Sequence, residues 1–151
     1  MKNKIIYIAL SATLAFSSCD DFLDKMPDNR AEIDSESKVT SILVSAYPTH
    51  TPAMMLEMAS DNAMDNGSKF TVESQEHEDA YLWNDIKVSN NDSPQYIWNA
   101  CYRAIAAANQ ALEAIEAMGN PANLQAQRGE ALLCRAYGHF VLANVFCLAY
   151  N

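Results

Sequence analysis

Residues 94–148 restrict this chain more than any other stretch, because they hold two long helical patterns separated by a break that leaves room only for a reversal. The first pattern opens at Ser93-Pro94, where serine is a favoured N-cap and proline suits the first turn. Ile97, Cys101, Ala104, Ala108, Ala111 and Ile115 then recur at helical spacing, and the alanine-rich filling favours helix and permits close packing. Gly119 and Pro121 stop it near Met118. A second helix is expected from about Ala122 to Leu148, capped by Asn120 or Asn123. Its later part, CRAYGHFVLANVFCLAY, is apolar on nearly every side. The short connection makes the pair an antiparallel hairpin. The fold class expected is all-α, built from hairpins of tetratricopeptide-like shape, although neither that repeat's residue pattern nor its period is present.

A helix apolar all round has to be covered by several neighbours, more than 151 residues supply. The chain is therefore expected to be the N-terminal part of a larger protein. Upstream, Val39, Ile42, Leu43 and Ala46 give one apolar face to a helix over about 35–47, capped by Asp34 or Ser35 and ended by Pro48. Thr51 and Pro52 open a short helix reaching about Ala59, and the run DNAMDNGS at 61–68 breaks it. Residues 66–93 read as a long polar loop with room for a short strand or a helical turn. Loops of that length are uncommon unless they bind something.

The N-terminus carries an export signal. Lys2 and Lys4 precede an apolar run from Ile5 to Phe16. As a helix that run spans about 18 Å, against a hydrocarbon core of about 30 Å, so it suits a secretory signal rather than a membrane span. Ser17 and Ser18 stand directly before Cys19, which resembles a lipobox: the thiol is acylated and the signal is cut in front of it. Phe16 departs from the aliphatic residue usual three positions before the cysteine. Asp20 and Asp21 resemble the surface-export signal of such lipoproteins. Residues 1–18 are expected to be the signal peptide and 19–31 a lipidated tether, in which Phe22, Leu23 and Met26 can dock on the body. Acyl chains contribute about 0.8 kcal/mol per buried methylene, and two of them anchor stably without a spanning helix.

The net charge of the whole chain is -9, and loss of Lys2 and Lys4 with the signal takes the remainder to near -11. Such a surface repels nucleic-acid phosphates and anionic lipid. Neither nucleic acid nor a basic membrane-binding patch is expected. Of the four cysteines, Cys134 and Cys147 are too far apart along one helix to bridge, and Cys101 is level with neither. All three are expected to be buried free thiols.

The segment CDDFLD at Cys19–Asp24, IWNACYRAIAAANQALEAI at Ile97–Ile115 and GEALLCRAYGHFVLANVF at Gly129–Phe146 together resemble the N-terminal region of the SusD/RagB family of outer-membrane lipoproteins. The first helix carries the aromatic pair Trp98 and Tyr102 with Ile105 and Asn109; the second carries Glu130, Ala131, Arg135 and Ala136, followed by Tyr137 and Phe140. The resemblance covers essentially the whole chain, making 32–151 a truncated SusD-like N-terminal helical domain. It implies a surface-exposed glycan- or nutrient-binding lipoprotein at the cell outer membrane, working with a SusC-like TonB-dependent transporter, performing no catalysis and needing no cofactor. The alternative is a helical lipoprotein adaptor with no small-molecule ligand.

Sugar recognition needs aromatic faces for stacking and amide or carboxylate groups for hydroxyls. Tyr81, Trp83, Asn84 and Asp85 fit that chemistry; the alternative for Trp83 is packing of the loop on the Pro94 helix. Trp98 and Tyr102 are expected in the core, and Glu130 and Arg135 as a buried charge pair. Asn62–Glu73 has the length of a calcium loop, but Met64 stands where a ligand is required. His77, in the run EHED, is expected on a solvated charged loop. No metal site and no nucleophile–base motif is expected.

Overall fold

The computed structural model describes residues 32–68, 71, 74–89 and 92–149. The signal sequence, Cys19 and the tether with Phe22, Leu23 and Met26 lie outside the described residues. Among the described residues the α-helices are, in order, α1 (Glu36–Leu43), α2 (Ala53–Met58), α3 (Gln75–Tyr81), α4 (Pro94–Ala117) and α5 (Gln125–Phe146). Val44–Ala46 and Ala122–Leu124 form 3₁₀ turns next to α1 and α5. Among the described residues there is no strand.

The α4–α5 hairpin is antiparallel, as three contacts establish. Trp98 and Phe146 meet edge to face with ring centroids 5.2 Å apart. A Cβ placed on Gly138 would lie 2.8 Å from Ile105 Cγ1. Arg135 Nη1 donates to Asn109 Oδ1 at 3.2 Å. Positions rise along α4 as they fall along α5. The small residues Ala100, Cys101, Ala104, Ala107, Ala108 and Ala111 are buried on α4, and their lack of bulk lets the neighbouring helices approach closely.

Helix α1 lies against this hairpin. Val39, Leu43 and Ala46 enter one core with Ala108, Ala111, Ile115, Leu124, Ala131 and Cys134. A fully buried Val, Leu or Ile side chain contributes about 1.5–3 kcal/mol, so Val39, Leu43, Ile115 and Leu124 dominate this cluster. A second core at the other end of the hairpin gathers Ile97, Cys101, Ile105, Val141 and Leu142, with Met55 of α2 packed beside it. Polar ties fix α1 in register. Asn123 Nδ2 donates to Glu36 Oε2 at 2.9 Å, and Tyr47 donates its hydroxyl to Glu130 Oε1 at 2.7 Å. The Lys38 ammonium, 2.8 Å from Asp34, holds that carboxyl below its usual range.

Several expectations are corrected. Of the short strand or helical turn for which residues 66–93 left room, the helix is the one found, and it is longer than a turn: α3 occupies seven residues. Trp98 and Tyr102 are 43% and 45% exposed rather than core. The stripe through Ile97, Cys101 and Ala104 sets the buried side of α4, and both rings sit one helical step off it, tilted against each other with centroids 4.9 Å apart. Glu130 and Arg135 do not pair; each bonds a different neighbour, Tyr47 and Asn109. Cys147 is exposed, beyond the last turn of α5, while Cys101 and Cys134 are buried. Burial pushes the Cys101 thiol up.

Three capping expectations also change, the first at α1, where Ser35 holds the N-cap position but its side chain makes no capping bond. Asn123 turns to Glu36 instead of capping α5. Ser93 holds the N-cap position of α4, but its side chain makes no capping bond. On α5, only Ala131, Cys134, Gly138, Val141 and Leu142 are buried; Leu133, Tyr137 and Phe140 stand 70%, 50% and 64% exposed. The further stacked pairs that a tetratricopeptide-like arrangement calls for are not among the described residues.

Candidate functional site

The sequence-predicted ligand residues lie at the end of α3. Ser74, in an extended conformation, precedes the helix, and Glu76 and Glu78 occupy its first turn, where carboxylates interact favourably with the helix dipole. The Gln75 amide donates to Glu78 at 3.2 Å and to Asp79 at 3.1 Å, stiffening a helix too short to hold by itself. Glu76 and Ala80 are buried.

The helix ends in a Schellman turn. The Trp83 N–H donates to the Ala80 carbonyl at 3.2 Å, and the Asn84 N–H donates to the Asp79 carbonyl at 2.8 Å. This motif needs a left-handed residue just past the cap, normally glycine. Here it is Trp83, with φ 56°. A large L-residue in that region is disfavoured by roughly 1–2 kcal/mol, and no burial repays it, since Trp83 is 81% exposed. Packing of Trp83 onto α4 is therefore not what holds it. Asn84 and Asp85 are also exposed.

Tyr81, 36% exposed, stands apart from the other three because its hydroxyl accepts the Asp65 N–H at 3.2 Å. Asp65 in turn accepts the Gly67 N–H through Oδ1 at 2.7 Å. This ties the turn after α2 to the last residue of α3. Between the two helices lies a cavity of about 420 Å³, lined by Met54, Met58, Met64, Tyr81 and Leu82, with His77 and Asn66 among its polar groups. The methionines were not singled out from sequence. Their signal is there, in Met54 and Met58 four residues apart on a helix with no buried residue of its own.

His50 Nδ1 lies 3.1 Å from Asp92 Oδ1, and the same oxygen accepts the Thr51 N–H at 3.2 Å. The imidazole meets the Tyr96 ring edge on, with centroids 5.2 Å apart. These contacts clamp the approach to α2 onto the start of α4. His77 lies on α3 rather than on a loop. Among the described residues, no three His, Cys, Asp or Glu side chains gather as metal ligands, and no helix is long and apolar enough to cross a membrane.

Among the described residues the body is all-helical, and α3 ends on exposed aromatic, amide and carboxylate side chains. The SusD-like family model, described as starch-binding and associating with the outer membrane, matches residues 21–151. The chain belongs to this SusD-like family, whose members are binding proteins of the outer membrane. No curated protein and no solved structure matches it.

Proposed function

We propose that this chain is a surface-exposed, lipid-anchored glycan-binding protein that captures its ligand outside the cell and passes it to a SusC-like TonB-dependent transporter. In this reading residues 1–18 are removed, Cys19 carries the acyl chains, and 19–31 form the tether to the outer membrane. The body from residue 32 onward does the binding. Trp83 is the stacking platform for a sugar ring, Asn84 and Asp85 bond its hydroxyls, and Tyr81 borders the site.

The observation that carries this reading is the state of Trp83. A side chain that is both backbone-strained and solvent-exposed contributes little to folding, and such strain clusters at ligand-binding positions. Tryptophan's flat face suits the apolar face of a pyranose, and stacking leaves the sugar's hydroxyl edges free for polar partners. The description of the family, starch-binding and associating with the outer membrane, supports a glycan as the ligand.

The experiment is native electrophoresis of the purified chain through gels containing amylopectin. Retardation is expected, and Trp83→Ala should abolish it while leaving helical circular dichroism unchanged. A chain that runs alike with and without polysaccharide would overturn the glycan assignment. For the anchor, metabolic labelling with a palmitate analogue should mark the wild type and leave Cys19→Ala unlabelled. Co-purification of a large outer-membrane barrel from detergent extracts tests the transporter partner.

A further inference from the structure

The cavity between α2 and α3 is amphiphilic. Met54, Met58, Met64 and Leu82 give it apolar wall, and Asp65, Asn66, Thr71, His77, Glu78 and Tyr81 give it donors and acceptors. Its volume, about 420 Å³, lies within the roughly 300–1,000 Å³ range of small-molecule sites. A pyranose is divided in the same way, with C–H groups across its faces and hydroxyls around its edge. Methionine side chains adapt to an irregular apolar surface, the Tyr81 ring offers an aromatic face, and amide, carboxylate and hydroxyl groups pair with sugar hydroxyls. Trp83 does not line this cavity, so the cavity is a place of its own.

The fixed charges of the lining have one sign. Asp65 and Glu78 are its carboxylates, and no lysine or arginine stands among the lining residues; His77 adds an imidazole rather than a fixed cation. Each carboxylate has one oxygen bonded within the protein. Asp65 Oδ1 accepts the Gly67 N–H at 2.7 Å, and Glu78 Oε2 accepts from the Gln75 amide at 3.2 Å. Asp65 Oδ2 and Glu78 Oε1 make no hydrogen bond among the described residues and can accept from sugar hydroxyls. A carboxylate on an incoming sugar would meet both negative charges, with no guanidinium or ammonium in the lining to offset the repulsion.

We propose that this cavity is a second glycan subsite, separate from Trp83, that takes an uncharged sugar unit and turns away uronic acids. The proposal rests on the reading of the chain as a glycan binder and not on the role given to Trp83. Two weak subsites engaged by one polysaccharide reinforce each other through effective concentration. Loss of Trp83 alone therefore abolishes retardation in a gel, while the cavity still binds a short oligosaccharide.

The test is NMR of the full chain labelled with carbon-13 at the methionine methyl groups, titrated with maltotriose and with maltotriose whose hydroxymethyl groups have been oxidised to carboxylates. Maltotriose should shift the Met54, Met58 and Met64 methyl signals saturably, in the wild type and in Trp83→Ala alike. Met118, which packs beside the α1 core, should stay in place. The oxidised trimer should bind the cavity about ten-fold more weakly. Asp65→Asn combined with Glu78→Gln keeps the shapes and the acceptor oxygens and should bring the two affinities to within about three-fold. Maltotriose binding that moves none of the three methyl signals overturns the subsite and leaves the Trp83 reading standing. Equal affinity for the two trimers on the wild type, or a preference that survives the double substitution, overturns the selection by charge. Binding of neither trimer by a folded chain overturns the subsite and the glycan reading together.

Discussion

Trp83 and Gly119 occupy the same position in two copies of one turn. Each is the first residue past a helix cap, with φ 56° and 82°. Each is followed by a residue whose N–H reaches back to close the Schellman ring, Asn84 to Asp79 and Asn120 to Ile115. The α4 turn uses the residue that sterics favour; the α3 turn uses one of the bulkiest.

This pairing makes Trp83→Gly a substitution that separates folding from binding. Glycine relieves the left-handed strain, roughly 1–2 kcal/mol, and returns part of that as chain entropy, about 0.5–1 kcal/mol. Little burial is lost from a ring that is 81% exposed. The expected outcome is a stability gain of about 0.5–1 kcal/mol together with loss of polysaccharide retardation. Thermal denaturation and affinity electrophoresis on one preparation check it. A destabilised variant would mean that the ring packs against something in solution.

What was legible in the sequence was local. Ser93-Pro94, Gly119 and Pro121 are punctuation with a direct backbone cause, and α4 begins and ends within a residue of where they place it. The α1 and α5 expectations ran long because the chain tightens into 3₁₀ turns at Val44–Ala46 and Ala122–Leu124, which no apolar spacing distinguishes from α-helix. Helix α3 was legible only as room for a helical turn or a short strand, for the opposite reason: QEHEDAY buries only Glu76 and Ala80, so it has no extended stripe, and only Ser74 with the acidic first turn marks it. The sequence grouped Trp83, Asn84 and Asp85 by chemistry, but the left-handed backbone of Trp83 depends on how α3 ends. The partners of Glu130 and Arg135 depend on the rotation of α5 between α1 and α4, which is a tertiary fact.

That rotation has a measurable consequence. The sequence expectation of a charge pair predicts coupling between Glu130 and Arg135. The structure assigns Glu130 to Tyr47 and Arg135 to Asn109, with no shared partner. Glu130→Ala and Arg135→Ala should therefore add to within about 0.5 kcal/mol in urea denaturation. Arg135→Ala and Asn109→Ala should couple by more than that. Strong non-additivity between Glu130 and Arg135 would restore the charge pair.

The Tyr47–Glu130 bond sets an alkaline limit. Donation to the Glu130 carboxylate, assisted by desolvation, raises the Tyr47 hydroxyl from its ordinary 10.0 to about 12. Between those values the folded chain holds a proton that the unfolded chain has released, so stability falls as pH rises. The contribution is complete below pH 10 and gone above 12. Tyr47→Phe should unfold more readily than wild type at pH 8, and the difference between them should shrink from pH 10 to pH 12. Melting curves taken in parallel across that range decide it. A constant difference would show that the hydroxyl proton plays no part.

Gly138 faces Ile105 across the hairpin, and the space between them determines which residues α5 tolerates there. Alanine is the better helix former by about 1 kcal/mol, so Gly138→Ala would stabilise an isolated helix. In the folded chain the new Cβ would lie 2.8 Å from Ile105 Cγ1, 3.1 Å from Cδ1 and 3.5 Å from the Cys101 carbonyl oxygen. Cγ1 sits on a stiff β-branched side chain that is only 6% exposed and has little room to yield. Overpacking of this kind costs typically 1–3 kcal/mol, which outweighs the propensity gain, so a net loss of about 1 kcal/mol is expected. Ile105→Ala alone should cost about 2–5 kcal/mol as a cavity. In that background the clash is gone and the added methyl group fills part of the void, so Gly138→Ala should turn from destabilising to stabilising. A double-mutant cycle by chemical denaturation reads the reversal of sign directly; a loss that persists in the Ile105→Ala background would place the clash on a neighbour other than Ile105, and a gain already in the wild type would place the helices farther apart.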